Sequence, residues 1–291
     1  MKPGVYPAAV TPFGTKGEID YPAVARLLSW FKAGGTTGVV LAGTNGEGPS
    51  LSAVEKRDFV KAAVSLSDGL DIILGVSTPS LDEAKWLCKQ THNAGGTAVL
   101  LMPPGYFRDA SEEGIAKWFE SVLDSSPSPI LIYNFPKRTG FTLSPELMAR
   151  LARHDRMIGL KDSSGNRENV ATYAQALAGT GKLMFVGDET LLTETLKHGW
   201  SGTISGSANV IPVWLSQIVS EWTTNPESAE TKFSLIMPAL EAIRSSPQPG
   251  ANKRLLAELG VLPSFEVRLP LESPTIERVQ VALDIVRKLN K

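Results

Sequence analysis

The chain has 291 residues, 42% of them hydrophobic and 20% charged, which supplies a sizeable core and excludes a disordered chain. Lys plus Arg number 29 against 30 for Asp plus Glu, a net charge of −1, so neither nucleic acid nor an anionic membrane surface is expected as a partner. A single cysteine, Cys88, excludes an internal disulfide and a tetrathiolate zinc site.

Short apolar runs recur along the chain at a near-regular interval. The first begins at Val5. Asp20 then precedes Tyr21-Pro22, a helix start, with Val24, Leu27, Leu28 and Phe31 on one face and Gly34-Gly35 at the end. The second run begins at Val39 and is followed by Ser52-Ala53-Val54-Glu55, a capping box. The third begins at Ile72, with a second capping box in Ser80-Leu81-Asp82-Glu83 and a helix stop at Gly95-Gly96. Further runs begin at Ala98, Ile130, Met157, Leu183 and Thr203; Ser144-Pro145 opens a helix to Arg153, and Asn166 caps one to Ala178, before Gly179. Each run is short and bounded by Gly, Pro, Asn or Ser, as a strand buried on both faces reads. Eight strand–helix units in alternation predict a parallel sheet, and the count and even spacing favour a closed (β/α)8 TIM barrel over an open doubly wound sheet.

From Pro226 onward the pattern is helical only, over Pro226 to Ser245, Ala251 to Leu259 and Thr275 to Asn290. The expectation is a barrel over residues 1–224 that carries the active site and a C-terminal helical domain over 225–291, with no flexible linker between them. No apolar run approaches the ~20 residues of a membrane span. The residues from Met1 to Pro7 lack an export signal, and Asn-x-Ser/Thr sequons are absent, so a soluble cytoplasmic protein is expected.

In such a barrel the site lies at the carboxyl ends of the strands. Three residues stand there: Thr44, Tyr133 and Lys161. Alternation puts Lys161 on the same face as Gly159, a glycine that leaves space beneath it. A lysine desolvated at a barrel mouth favours the free amine, the nucleophilic form; the plainer reading is a strand-end lysine paired with Asp162. Tyr133 has the parity of Leu131, and on an inward face its phenol is a proton shuttle or merely an interior aromatic. Gly43-Thr44-Asn45-Gly46-Glu47-Gly48 is no dinucleotide fingerprint, since its glycines are in the wrong order; its amides suit a small carboxylate, or a tight turn alone. Cys88 and His92 share a helix face at i, i+4 without a third metal ligand and read as structural. His154 and His198 look isolated. Arg138 is a carboxylate clamp or a solvated loop charge.

Together these segments become specific. Gly43 to Glu47, Tyr133-Asn134-Phe135-Pro136 and Gly159 to Gly165 occur in order with Gly187-Asp188, Ile204 to Asn209, Lys253, Gly260 and Leu269-Pro270-Leu271. The whole chain closely resembles the dihydrodipicolinate synthase and N-acetylneuraminate lyase family. The resemblance implies a barrel with a C-terminal helical domain, assembled as a homotetramer or homodimer, and class I lyase chemistry. It implies that pyruvate forms a Schiff base on Lys161, with no metal and no other cofactor. Tyr133 would move protons, and Thr44 would link it to Tyr106 from across a subunit interface. The amides of Thr44 and Asn45 would hold the pyruvate carboxylate, with Gly187 and Ile204 among the substrate-binding positions. Arg138 matches the branch that forms 4-hydroxy-tetrahydrodipicolinate by condensing pyruvate with an aldehyde bearing a carboxylate. Asn45 resembles instead the 4-hydroxy-2-oxoglutarate and 2-keto-3-deoxy-sugar-acid aldolases. A non-catalytic barrel that binds a 2-oxo acid is the remote alternative; a metal-dependent barrel would need clustered His, Asp or Glu at the strand ends.

Overall fold

The computed structural model describes residues 1–289. Eight strands form one parallel sheet: β1 (Gly4–Pro7), β2 (Gly38–Leu41), β3 (Asp71–Val76), β4 (Ala98–Leu101), β5 (Ile130–Asn134), β6 (Met157–Asp162), β7 (Leu183–Val186) and β8 (Gly202–Ser205). From β2 to β8 each strand pairs with its neighbours in sequence and β1 pairs with β8, so the sheet curls into the expected (β/α)8 barrel. The remaining seam, between β1 and β2, is held by one bridge, Ala8 to Val40, with the Ala9 N–H donating to Val40 O at 2.9 Å. Beyond it a side chain takes over: Asn209 Nδ2 donates to Ala8 O at 2.9 Å, and Asn209 Oδ1 accepts from the Val10 N–H at 3.1 Å.

The helices on the outside are α1 (Tyr21–Ala33), α2 (Ala53–Leu66), α3 (Leu81–Asn93), α4 (Glu112–Ser125), α5 (Pro136–Thr139), α6 (Pro145–Leu151), α7 (Glu168–Ala176), α8 (Leu192–Lys197) and α9 (Pro212–Glu221). Their apolar faces and the outward residues of the strands make the larger core. In α1, Asp20 accepts from the Ala23 N–H at 3.0 Å and Val24, Leu27, Leu28 and Phe31 are buried, each contributing about 1.5–3 kcal/mol. The Ser52–Glu55 capping box closes in both directions. A smaller core fills the barrel itself, where Tyr6, Val40, Ile73, Leu131, Phe185 and Ile204 meet. Tyr6 and Phe185 pack edge to face with centroids 5.4 Å apart.

Three helices follow the barrel: α10 (Pro226–Ser245), α11 (Gly250–Glu258) and α12 (Gln280–Leu289). The last starts later than its sequence suggests, because Ile276–Arg278 forms a separate 3-10 turn that ends at Val279; the end predicted at Asn290 lies outside the described residues. Asn166 caps the entry to α7 as expected: Arg167 already has helical dihedrals, Asn166 Oδ1 accepts from the Glu168 N–H at 3.0 Å, and Asn166 O accepts from the Asn169 N–H at 3.2 Å. No described helix is long and apolar enough to cross a membrane.

Two polar assemblies fix the elements that carry the barrel mouth. On the outer side of β5 and β6, Asn134 Nδ2 donates to Asp162 Oδ1 at 2.7 Å and to Tyr173 Oη at 3.0 Å, and the Leu143 N–H donates to Asn134 Oδ1 at 3.1 Å. Ser164 Oγ donates to Asp162 Oδ2 at 2.7 Å. All three of Asn134, Asp162 and Tyr173 are buried, and burial pushes the Asp162 carboxyl up against the pull of these bonds. The assembly sets the register that places Tyr133 directly opposite Lys161.

The second assembly ties the C-terminal segment to the turn after β2. Lys253 forms an ion pair with Glu47, both side chains fully buried, while Lys253 Nζ donates to Glu266 O at 2.6 Å and lies 4.0 Å from the centroid of the Phe13 ring. Burial pushes the Lys253 ammonium down to about 8 against the attraction of Glu47. The Arg268 N–H donates to Glu47 Oε2 at 2.8 Å, and the Arg268 guanidinium binds Ser50 O at 2.8 Å, Gly17 O at 2.7 Å and the carboxylate of Glu55.

Two outcomes follow for stability. Asp162→Ala takes one of the two acceptors from the buried Asn134 amide and the acceptor from the half-buried Ser164 hydroxyl, and is expected to cost about 2–4 kcal/mol, measured by urea denaturation. The hydrogen bond from Arg268 holds Glu55 down to about 2, from an ordinary value of 4.5. Its stabilisation is present above pH 4.5 and is lost as the pH falls from there toward 2. Because Glu55 is a third exposed, solvent screening holds this to about 1 kcal/mol. Glu55→Gln should flatten the acid limb of a plot of stability against pH by that amount and leave the limb above pH 5 parallel.

Candidate active site

The carboxyl ends of the strands open into a cavity of about 390 Å³. Lys161, at the end of β6, is 5% exposed and reaches into it with Nζ 4.2 Å from the centroid of the Tyr133 ring. Tyr133 comes from the end of β5, on the same inward face, and stacks on Phe135 at 5.7 Å. Asp162 is not the partner of Lys161. Alternation turns its carboxylate to the opposite face of the sheet, into the assembly with Asn134 and Ser164.

The room for Lys161 is made by a different glycine from the one the strand pattern indicates. A methyl at Gly159 would run into the Leu183 backbone, so that glycine serves the approach of β7 to β6. A methyl at Gly187 would lie 3.0 Å from Lys161 Cε and collide with Ser163 Oγ. Gly187, just past the end of β7, thus keeps open the space that the Ser163 and Lys161 side chains occupy.

Thr44 and Asn45 line the cavity from the turn after β2. Neither of their backbone N–H groups has an acceptor among the described residues. Ile204 closes the floor from β8, and Arg138 reaches in from α5, where it has no ion-pair partner among the described residues. The structure therefore gathers seven of the eight residues singled out in the sequence. The eighth, Tyr106, is on the loop between β4 and α4, 80% exposed, with its ring edge to face on Phe107 and no contact with Tyr133. A second cavity of about 400 Å³ adjoins the first, shares Thr44, Tyr133 and Arg138 with it, and is largely apolar through Val76, Leu100 and Met102.

Several lining residues are given no role by the sequence reading. Ser163 donates from Oγ to Tyr133 Oη at 3.4 Å; its place two residues after Lys161, on the same face, is a signal that strand parity contains. Asp188 and Glu189 follow Gly187 and are both bound by Arg244 of α10, at 2.7 and 2.8 Å. Glu189 is fully buried, which alone would push its carboxyl up, but Arg244, the Ser205 hydroxyl and the Ser207 N–H outweigh burial and hold it below the usual range. Gln248 and Asn252, from the C-terminal segment, complete the wall. Nothing in the spacing of a helical extension indicates that it reaches the barrel mouth.

The remaining candidates lie apart from the cavity. Cys88 is buried and burial pushes its thiol up to about 11, while His92 faces solvent. His154 Nε2 pairs with Asp124 at 3.1 Å, and His198 Nδ1 is 3.0 Å from Glu194 O. No group of three or more His, Cys, Asp or Glu able to hold a metal ion occurs among the described residues.

Comparison with known proteins agrees with this geometry. The sequence profile of the Dihydrodipicolinate synthetase family matches residues 1–288. The 4-hydroxy-tetrahydrodipicolinate synthase of Archaeoglobus fulgidus is 32% identical over 290 residues, covering 99% of both chains. The crystal structure of dihydrodipicolinate synthase from Thermotoga maritima superposes with a TM-score of 0.94 at 26% identity, covering 100% of this chain and 99% of that one. That of the Acinetobacter baumannii synthase complexed with pyruvate superposes with a TM-score of 0.92 at 27% identity, covering 99% of each. The chain belongs to the dihydrodipicolinate synthetase family, whose members are pyruvate-dependent, Schiff-base-forming class I lyases.

Proposed function

We propose that Lys161 is the nucleophile of a lyase that condenses pyruvate with an aldehyde bearing a carboxylate. The observation that carries this reading is the near-complete burial of Lys161 at a strand end, in a cavity where its amine touches the face of Tyr133. The amine adds to C2 of pyruvate, the resulting carbinolamine loses water, and the iminium draws electrons from C3 so that a methyl proton leaves. The enamine carbon then attacks the aldehyde carbon, whose oxygen takes up a proton, and hydrolysis of the new iminium returns the lysine. Run backwards, the same steps cleave a longer 2-oxo acid.

The free N–H groups of Thr44 and Asn45 suit the pyruvate carboxylate, and Tyr133, supported by Ser163, suits proton transfer at the carbinolamine. Gly187 and Ile204 shape the space around the adduct. The relay is completed by the partner subunit's Tyr106 through Thr44: Tyr106 and Phe107 are 80% and 63% exposed, and the apolar second cavity beside Thr44 is a receptacle for such a loop. The functional unit is on this reading at least a dimer, with residues 1–224 carrying the chemistry and 225–291 closing one wall. Asn45 favours a second reading, cleavage of hydroxylated 2-oxo acids, and Arg138 is the residue that separates the two.

Incubation with pyruvate and borohydride should add one reduced adduct, mapped by peptide mass to Lys161. Lys161→Ala should give no adduct and no turnover; an adduct of equal yield on that variant overturns the mechanism. Arg138→Ala should lower kcat/KM for aldehydes carrying a carboxylate by about 1.5–3 kcal/mol and leave uncharged hydroxyaldehydes nearly unaffected. Equal losses on both would assign Arg138 to structure rather than recognition.

A further inference from the structure

Asn45 ends in a carboxamide whose two faces do opposite things, since its oxygen accepts and its nitrogen donates. Which face points into the cavity is decided outside the barrel. Asn252, on α11 and fully buried, donates from Nδ2 to Gly206 O at 2.9 Å and to Asn45 Oδ1 at 3.3 Å. Its own Oδ1 accepts from Gln248 Nε2 at 3.4 Å, and that nitrogen also donates to Ile243 O at 3.0 Å. Two backbone carbonyls anchor this chain of amides, and a carbonyl can only accept. Gln248 must therefore present its nitrogen to Ile243, and Asn252 its nitrogen to Gly206. Asn252 has no acceptor left to offer Asn45, so Asn45 must give its oxygen to Asn252.

The Asn45 nitrogen is then the end left over. It makes no hydrogen bond among the described residues and lies against Gly206, where an added methyl would sit 2.9 Å from it. Asn45 and Gly206 both line the cavity that holds Lys161. The carboxamide nitrogen is thus an unused donor on a residue that, with Thr44, lines the cavity and carries the unbonded N–H groups assigned above to the pyruvate carboxylate.

We infer that Asn252 is a positioning residue: it acts through Asn45, holding the carboxamide so that Nδ2 donates to the carboxylate of the bound 2-oxo acid. The inference rests on the lyase reading and adds to it a selectivity for an anionic acceptor set by a residue of the C-terminal segment. A carboxylate gains a charge-assisted bond there, whereas an amide turned the other way would face it with a second oxygen.

The test compares Asn252→Leu and Asn252→Asp, both close to the native side chain in size and neither able to donate to Asn45 in its ordinary ionisation state. Each should raise the pyruvate KM about tenfold with kcat changed less than about threefold, the scale of one charge-assisted hydrogen bond. Asn45→Ala should raise KM by a similar factor, and adding Asn252→Leu to it should raise KM no further, because the two residues act as one. A thermal melt of each variant accompanies the kinetics. Additive KM effects in the double variant, or an unchanged KM in both Asn252 variants, overturn the inference. If one variant melts below the assay temperature, the KM of the other decides; if both do, a KM in Asn45→Ala equal to that of the unsubstituted enzyme overturns it. Borohydride trapping on the unsubstituted enzyme keeps the two readings apart. Absence of an adduct there overturns the lyase reading and this one with it, whereas a normal adduct with additive variants overturns only the role of Asn252.

Discussion

The Glu47–Lys253 ion pair is the constraint on which the rest of the site hangs. Two charges taken fully out of water cost several kcal/mol each, and their attraction offsets this only when the geometry is good and other bonds satisfy what is left. Here Glu266 O, the Phe13 ring and the Arg268 N–H supply those bonds. The carboxylate belongs to the turn after β2, the turn that carries Thr44 and Asn45. The ammonium belongs to α11, the helix that carries Asn252. Because neither charge is tolerable alone in that position, the turn and the helix must arrive together. One pairing therefore sets the distance between the half of the cavity built by the barrel and the half built by the C-terminal segment.

Within the barrel the chemistry depends on strand geometry. Alternation sends Lys161 and Tyr133 inward and Asp162 and Asn134 outward, so the same two pairs of adjacent residues build the face that lines the cavity and its support. An acid next to a lysine in sequence would ordinarily neutralise it. Here the pleat separates them, and the carboxylate is consumed by hydrogen bonds on the far side of the sheet. Gly187 makes the complementary contribution by leaving out a side chain where the lysine must lie.

Much of this was legible in the sequence. Strands buried on both faces read as short apolar runs, and all eight lie where those runs begin, because a parallel barrel leaves no strand a polar face to blur the signal. Lys161, Tyr133 and Thr44 stood out for a related reason: a polar side chain at or just past the end of an apolar run is carried by that strand to the mouth of the barrel. What escaped was non-local. Gly159 and Gly187 look alike in sequence, and only the path of the neighbouring strand shows which one makes room for Lys161. Arg244 and Asn252 lie among ordinary helix residues and Gln248 in the turn between α10 and α11, and their reach into the cavity depends on distant pairings, Arg244 with Asp188 and Glu189 and Lys253 with Glu47, which no local pattern encodes.

The near-open seam between β1 and β2 bears on how the molecule comes into being. Asn209 stitches that edge to residues 201 positions earlier, and Arg268 reaches back 213 positions to Glu55. Contacts this far apart in the chain close long loops, whose entropy cost must be met before the contacts reward it. On the ribosome, a nascent chain that has emerged through β6 already holds both Tyr133 and Lys161, yet β1 has no eighth strand to pair with and Glu47 has no lysine to meet. The inner face of the cavity is made early and the wall that closes it is made last, and the order is written into the topology alone.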